Sequence, residues 1–402
     1  MSMRKKWCHF HLALTMAVVT ILAVPAVFPA FGAGPGQTEE TIPDGITEEQ
    51  WNRLNDQTVE FNELSDLVRY FNPAVQNITQ SISDSISNFQ YILDETRGYI
   101  RDLEGDAEEL KDSGATDSAE GLAQYNMLSM TVKSLKTSAD SMGRSLNYMN
   151  RTNSNVTQAV KTYTYYANQL MISYNSVQSG LSSLQKLVEA DTAALESAKI
   201  SYGLGKITQL EVLSAQKKLL AAQSSLLSME NTIDNLRRSL CLMTGYSSDS
   251  ELNIGTIPQF DMEELSAMDL EVDTKKAVRN NYSLISDRHT ESNRTTTGVM
   301  SKRDSISESE QMLAVTMQSN YQVVLQAKTA YETASTAYEI AKQVWGKAER
   351  SYQNGLTSQN QYLQFQVGFL QAESGLKGAY NDLYLAYDTY RWAVDGIIMT
   401  SY

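Results

Sequence analysis

The chain has 402 residues, 42% hydrophobic and 20% charged, with 33 basic against 47 acidic side chains and a net charge of −14. So acidic a chain, with no basic patch, excludes nucleic acid as a partner. Beyond the first 11 residues only His289 and Cys241 remain of their kinds, too few for a Cys/His zinc site or an internal disulfide framework.

Residues 1–32 read as a secretory signal. Arg4-Lys5-Lys6 is the basic start, Leu12 to Val24 the apolar run, and Ala30 and Gly32 the small residues before a cleavage at Ala33. The alternative is an uncleaved membrane anchor, against which the run is short and interrupted at its end by Pro25 and Pro29. Cys8 precedes the run, so it is not the acylated cysteine of a lipoprotein. No other segment approaches 18 uncharged apolar residues. Residues 33–60 form a lead-in. After Pro73 only Pro258 follows, so most of the chain reads as long helices, because proline removes an N–H and clashes with the preceding turn.

A first unit spans 61–245. Residues 94–150 are helical in composition, with Leu103, Leu110, Leu122, Met127, Leu128 and Met130 set among charges. The acidic run Glu104, Asp106, Glu108 and Glu109 invites a calcium reading. A calcium loop starting at Glu104 needs Gly at its sixth position and Glu at its twelfth; Glu109 and Ala115 stand there, so the run reads as a solvated helix face. A turn at Asp112–Asp117 precedes a long helix, Ser118–Ser201, of about 84 residues or about 125 Å. Tyr202-Gly203-Leu204-Gly205 ends it, since glycine tolerates the left-handed backbone of a helix end, and Thr208 caps the next helix. That helix carries Ala215, Leu219, Ala222, Leu226, Met229, Ile233, Leu236, Leu240 and Met243 in alternating steps of four and three, the seam of a left-handed coiled coil. Cys241, beside Leu240, reads as a packed small apolar residue.

A linker at 246–262, with Pro258, leads to a second unit at 263–396 and a tail at 397–402. His289, among Asp287, Arg288 and Thr290, reads as solvated. After a turn at Thr295–Gly298 a helix runs Asp304–Ser351, about 48 residues or about 70 Å. It carries two seams. One is Met317, Tyr321, Val324, Tyr331, Ala334, Tyr338, Ala341, Trp345, Ala348 and Tyr352; the other is Val323, Ala327, Ala330, Ala334, Ala337, Ala341, Val344 and Ala348. Two seams demand two packed flanks, which suits a closed tube of helices or the inside of a four-helix bundle. Tyr352-Gln353-Asn354-Gly355 ends this helix and Ser358 caps the next.

The two units are copies. At an offset of 150, Tyr202, Gly205, Gln209, Leu213, Gln216, Leu220 and Leu226 recur as Tyr352, Gly355, Gln359, Leu363, Gln366, Leu370 and Leu376. The seam recurs too, as Phe365, Phe369, Ala372, Leu376, Ala379, Leu383, Ala386, Tyr390 and Ala393. Near the start of each copy, Val68-Arg69 and Asn72-Pro73 echo Val278-Arg279 and Asn281-Tyr282. The fold class is therefore all-α: duplicated long helical hairpins with coiled-coil packing and little or no β-barrel.

This ordered, duplicated set — aromatic, glycine turn, Thr or Ser, heptad helix, with Asn-Pro or Asn-Tyr early in each copy — resembles the TolC-like outer-membrane efflux proteins over roughly residues 60–396. The resemblance implies a homotrimer in which each chain gives two hairpins to a twelve-helix exit duct. It implies that the glycine tips, Leu204, Gly205 and Lys206 with Asn354, Gly355 and Leu356, dock a periplasmic adaptor (membrane fusion) protein serving an inner-membrane pump in tripartite efflux or type I secretion. In the family, acidic side chains six and nine residues after the second tip glycine narrow the duct entrance. Here those positions are Gln361 and Gln364, and the first copy has Glu211 and Ser214. The family also inserts two barrel strands per copy, which should read as about ten alternating residues each. None is present at 94–150, and Ser292–Ser307 is too short and polar.

The expected function is thus passive export through a helical duct in the cell envelope, at the outer membrane of a two-membrane cell or outside the single membrane of another. The alternative is an exported coiled-coil scaffold or spacer without a channel. No nucleophile–base or metal constellation is present, so neither an enzyme nor a cofactor is expected. With the tips level, the first hairpin should project about 50 Å beyond the second.

Overall fold

The structure is a computed structural model that describes residues 35, 42–43, 46–151, 154–259, 262–290 and 295–398. The expected leader and its cleavage site, Ser292 to Arg294 and the last four residues lie outside these.

The lead-in forms α1 (Glu48–Leu54), a two-residue strand β1 (Thr58–Val59) and, after a single 3₁₀ turn, α2 (Leu64–Phe71). The first repeat continues with α3 (Pro73–Asp112), α4 (Ala119–Arg151), α5 (Ser154–Gly203) and α6 (Gln209–Met243). The linker supplies β2 (Asn253–Ile254) and α7 (Met262–Ser266). The second repeat is α8 (Leu270–Asn280), α9 (Tyr282–His289), α10 (Thr296–Gln353) and α11 (Gln359–Val394). β1 and β2 pair in parallel, Thr58 with Asn253 and Val59 with Ile254, and are the only strands among the described residues. The all-α expectation holds.

The four long helices at the glycine turns lie in one row, in the order α6, α5, α11, α10. The expected seams of α6 and α11 are packed sides, save Phe365, which is exposed. Ala222 and Leu240 of α6 are buried, as are Leu383, Ala386, Tyr390 and Ala393 of α11. An aromatic ladder stitches α10 to α11: Tyr321 meets Tyr390, Tyr331 meets Tyr380, Tyr338 meets Phe369 and Trp345 meets Tyr362, with ring centroids 4.9–6.1 Å apart.

Away from the turns, lead-in and linker wrap the row. Leu64, Leu67 and Val68 of α2 bury against Val160, Ala167 and Met171 of α5. Trp51 stacks on Phe71 at 5.4 Å, and the Tyr246 hydroxyl donates to the carbonyl of Asp56 at 2.6 Å. In the second repeat Leu265, Ala277 and Leu284 close over Leu313, Met317 and Tyr390.

Beyond this belt α3 and α4 form an antiparallel two-helix stalk. Leu93, Ile100 and Leu103 of α3 pack on Val132 and Ala139 of α4. These belong to unbroken heptad seams: Ile86, Phe89, Leu93, Thr96, Ile100, Leu103, Ala107 and Leu110 on α3, and Tyr125, Leu128, Val132, Leu135, Ala139 and Met142 on α4. Residues 94–150, where no alternating strand pattern is present, are thus helical over their described length apart from the turn at 113–118. Among the described residues, no helix is long and apolar enough to cross a membrane.

One expectation about length needs correction. The long helix of the second repeat begins at Thr296, not Asp304, and has 58 residues. Thr295 is its cap, accepting from the Gly298 N–H at 3.1 Å, so the Thr-Thr-Thr-Gly stretch is a helix start and not a free turn. The long helix of the second repeat is therefore about 87 Å long instead of about 70 Å. In the first repeat the span expected as one helix, Ser118–Ser201, is helical over Ala119–Arg151 and Ser154–Gly203, and residues 152–153 between them lie outside the described residues.

Candidate functional site

The two hairpin tips are built alike. Gly205 and Gly355 adopt φ of 68° and 70°, where a side chain would be strained. Around each, two main-chain bonds close the helix end: Gly205 donates to Tyr202 and Lys206 to Ser201, and Gly355 donates to Tyr352 and Leu356 to Ser351, all at 2.9 Å. Leu204 and Leu356 stand out at the tips, 64% and 79% exposed. Asn354 ends α10 as its C-cap.

Glu211 and Gln361 occupy equivalent places and do the same work. The Glu211 carboxylate accepts from the Thr208 main chain at 2.7 Å and its hydroxyl at 2.9 Å, which holds it below the usual carboxylate range. Gln361 accepts from Ser358 at 3.3 and 3.2 Å. Each residue completes a capping box that starts the descending helix. Gln364 lies on α11 in a shallow groove with Ile340, Val344 and Phe365, shared with α10.

The larger site is the pair of flanks that end the row. On α6, Leu213, Leu220 and Leu227 stand at heptad spacing, 53–60% exposed. On α10, Val323, Ala330, Ala337 and Val344 stand at the same spacing, all exposed, with Ile340 beside them. Every second residue of the second α10 seam is therefore bare within one chain, and the others, Ala327, Ala334, Ala341 and Ala348, are half-buried or buried.

The duplication says what should cover these flanks. Inside the chain, α5 and α11 run antiparallel in a register that drifts by about three residues along their length. Lys161 lies level with Asp395, Asn168 with Asp388, Ser176 with Gly378, Gly180 with Ser374 and Ala190 with Leu363. At Gly180 a β-carbon would stand 3.5 Å from the Ser374 hydroxyl. Shifted by the repeat offset, α5 becomes α10 and α11 becomes α6. The buried pair Ala190 and Leu363 becomes Ile340 and Leu213, both exposed. One joint of the pair is filled within the chain and its counterpart is open.

The filled joint is polar where it nears the belt. The Asn168 amide donates to both oxygens of Asp388, at 3.2 and 3.4 Å, and Gln169 donates to Thr389 at 3.1 Å. Burial pushes the Asp388 carboxyl up to about 6. Sequence reading missed Asn168 and Asp388, because nothing in one helix marks which polar residue will face another 220 positions away.

No family model and no curated protein matches the chain. Solved structures do resemble it. The outer membrane channel CmeC of Campylobacter jejuni is 11% identical at a TM-score of 0.43, over 93% of this chain and 94% of that one. VceC of Vibrio cholerae is 10% identical at 0.44, over 84% and 96%. The outer-membrane channel OprN is 11% identical at 0.44, over 93% and 99%. These are TolC-family channels. At such identities and scores they record a likeness in the course of the helices, not a function.

Proposed function

We propose that three copies of the chain close into a twelve-helix duct of the cell envelope that passes exported molecules without chemistry. The observation that carries this reading is the open counterpart of a filled joint. Ala190 and Leu363 are 1% and 5% exposed inside the chain, whereas Ile340 and Leu213 are exposed on opposite ends of the row. A head-to-tail contact of this kind closes into a ring when its rotation divides the circle. The resemblance to the TolC-like family supplies the number three. It also supplies the partners: a periplasmic adaptor at the tips around Leu204, Gly205, Lys206, Asn354, Gly355 and Leu356, and an inner-membrane pump beneath it.

The test is a cross-link. Gly180 and Ser374 approach closely, and their counterparts are Ala330 and Ser224. The double variant Ala330→Cys with Ser224→Cys should give a covalent ladder ending at three chains under oxidation. Monomer alone would reject the ring.

One observation favours the scaffold reading instead: residues 94–150 form the helical α3–α4 stalk. If the protein assembles but passes no ions in a planar bilayer, with or without its adaptor, the spacer reading replaces the duct.

A further inference from the structure

The two helices of the stalk have unlike backs. Away from its packed seam α3 is charged: Asp94, Glu95, Arg101, Asp102, Glu108 and Glu109 are all exposed. Over its length α3 carries nine acidic and three basic residues. On α4 the side away from the seam holds a second line, Ala123, Met127, Met130, Ser134, Thr137 and Ser141, in alternating steps of four and three. All six are exposed, Met127 at 51% and Met130 at 68%, and the line meets no charge before Arg144. A helix whose back faces only water ordinarily carries charged and polar residues there, as α3 does.

We propose that this back of α4 is an interface between copies of the chain: three α4 helices pack in parallel round the axis of the assembly, with the three α3 helices outside them. The proposal rests on the three-chain reading above, because a ring brings its stalks out at one end, related by the ring's own rotation. Charge selects which helix faces inward. Three acidic α3 backs would repel one another at close range, whereas the α4 lines meet without like charges. The charged residues beside the line are Lys133 and Asp140, of opposite sign. Lys136 lies on another side of α4 and pairs with Glu104 of its own α3 at 2.5 Å.

The side chains suit such a contact. Ala123, Ser134 and Ser141 are small and let helices approach closely. Met127 and Met130, unbranched and adaptable, fill the space toward the outer turn. The step pattern is that of a left-handed coiled coil, the same as in the seam α4 shares with α3. The assembly would then end, beyond the belt, in a coaxial bundle of six helices.

Thiol cross-linking tests this on the full chain. Ser134→Cys and Thr137→Cys, made separately, each place a thiol on the α4 line. Gly105→Cys places one on the α3 back, where a β-carbon meets nothing within 4 Å. Cys241 is buried and common to all three variants. With a short bismaleimide, Ser134→Cys and Thr137→Cys should give a two-chain product, and Gly105→Cys should stay a single chain. Adding Met127→Glu and Met130→Glu to Ser134→Cys should abolish the product; its persistence would count against the interface. If neither Ser134→Cys nor Thr137→Cys links under conditions where the Ala330→Cys, Ser224→Cys ladder forms, the stalk interface is overturned and the ring stands. An equal product from Gly105→Cys would overturn it too. A two-chain product without that ladder would uphold the stalk interface and reject the ring.

Discussion

Asn72 donates through its side-chain amide to the main-chain carbonyl of Met243, 2.8 Å away and 171 positions later in the chain. Its Oδ1 also accepts from the N–H groups of Ala74 and Val75, at 3.0 and 3.1 Å. One side chain thus starts α3 and ties that start to the end of α6. Asn281 repeats the arrangement more loosely, accepting from Leu284 at 3.0 Å and reaching the Gly396 carbonyl at 3.4 Å. Replacing Asn72 by Ala removes a cap and leaves a buried carbonyl unpaired, a loss of about 1–3 kcal/mol. Asn72→Asp keeps the cap but sets a buried carboxylate against the Met243 carbonyl, so it should cost at least as much. Asn281→Ala should cost less. Urea denaturation of the three variants checks the order; equal losses in Asn72→Ala and Asn281→Ala would mean the tighter docking bond at Asn72 contributes nothing.

Gly245 and Gly396 follow the last turns of α6 and α11 with φ of 82° and 92°. A β-carbon at Gly245 would meet the Phe71 carbonyl oxygen at 2.3 Å, and one at Gly396 would meet that of Asn280 at 2.2 Å. Backbone cannot swing aside as a flexible side chain can. Gly245→Ala should therefore lower stability by about 1–3 kcal/mol. Gly203→Ala, where nothing lies within 4 Å, should be neutral or mildly stabilising. Thermal melts of the pair provide the comparison, and similar melting points would show that the belt is looser than described.

The stalk is held by one narrow core. Leu103, 7% exposed, packs in that core, so Leu103→Ala should cost about 2–5 kcal/mol within the stalk. Because α3 and α4 touch the rest mainly at their base, the loss should be local. Limited proteolysis should then cut first between 94 and 150 while the tip hairpins stay protected. Simultaneous loss of both regions would mean that the stalk and the duct wall unfold together.

Much of this was legible in the sequence, for a physical reason. Heptad spacing reports which side of a helix is packed, so the seams of α6, α10 and α11 and the Gly205 and Gly355 turns could be read directly. The capping boxes were half-read: Thr208 and Ser358 were expected as caps, but Glu211 and Gln361 complete them, a Ser/Thr-x-x-Glu/Gln pattern visible in the chain. Thr295 misled because Gly298 three residues on suggests a turn, while its N–H is one of the orphan donors a cap must satisfy. Leu213 and Leu363 were recognised as the same residue in two copies. That one is buried and the other exposed depends on which copy has its neighbour inside the same chain, and no local pattern encodes that. The Asn168–Asp388 contact was unreadable for the same reason.

The flank reading makes a directional prediction about solubility and assembly. Leu220→Glu places a charge in the middle of the α6 stripe, and Ala337→Glu does so on α10. Either should abolish assembly while leaving helix content, by circular dichroism, unchanged. Leu226→Glu, on the packed seam of α6, should instead unfold the first hairpin. If Leu220→Glu leaves assembly intact, the α6 stripe faces solvent.

The mass of the purified protein in solution tests the central claim most directly. Light scattering across a wide concentration range should give three chain masses, falling to one in Leu220→Glu. A single chain mass at every concentration in the wild-type protein would contradict the closed ring.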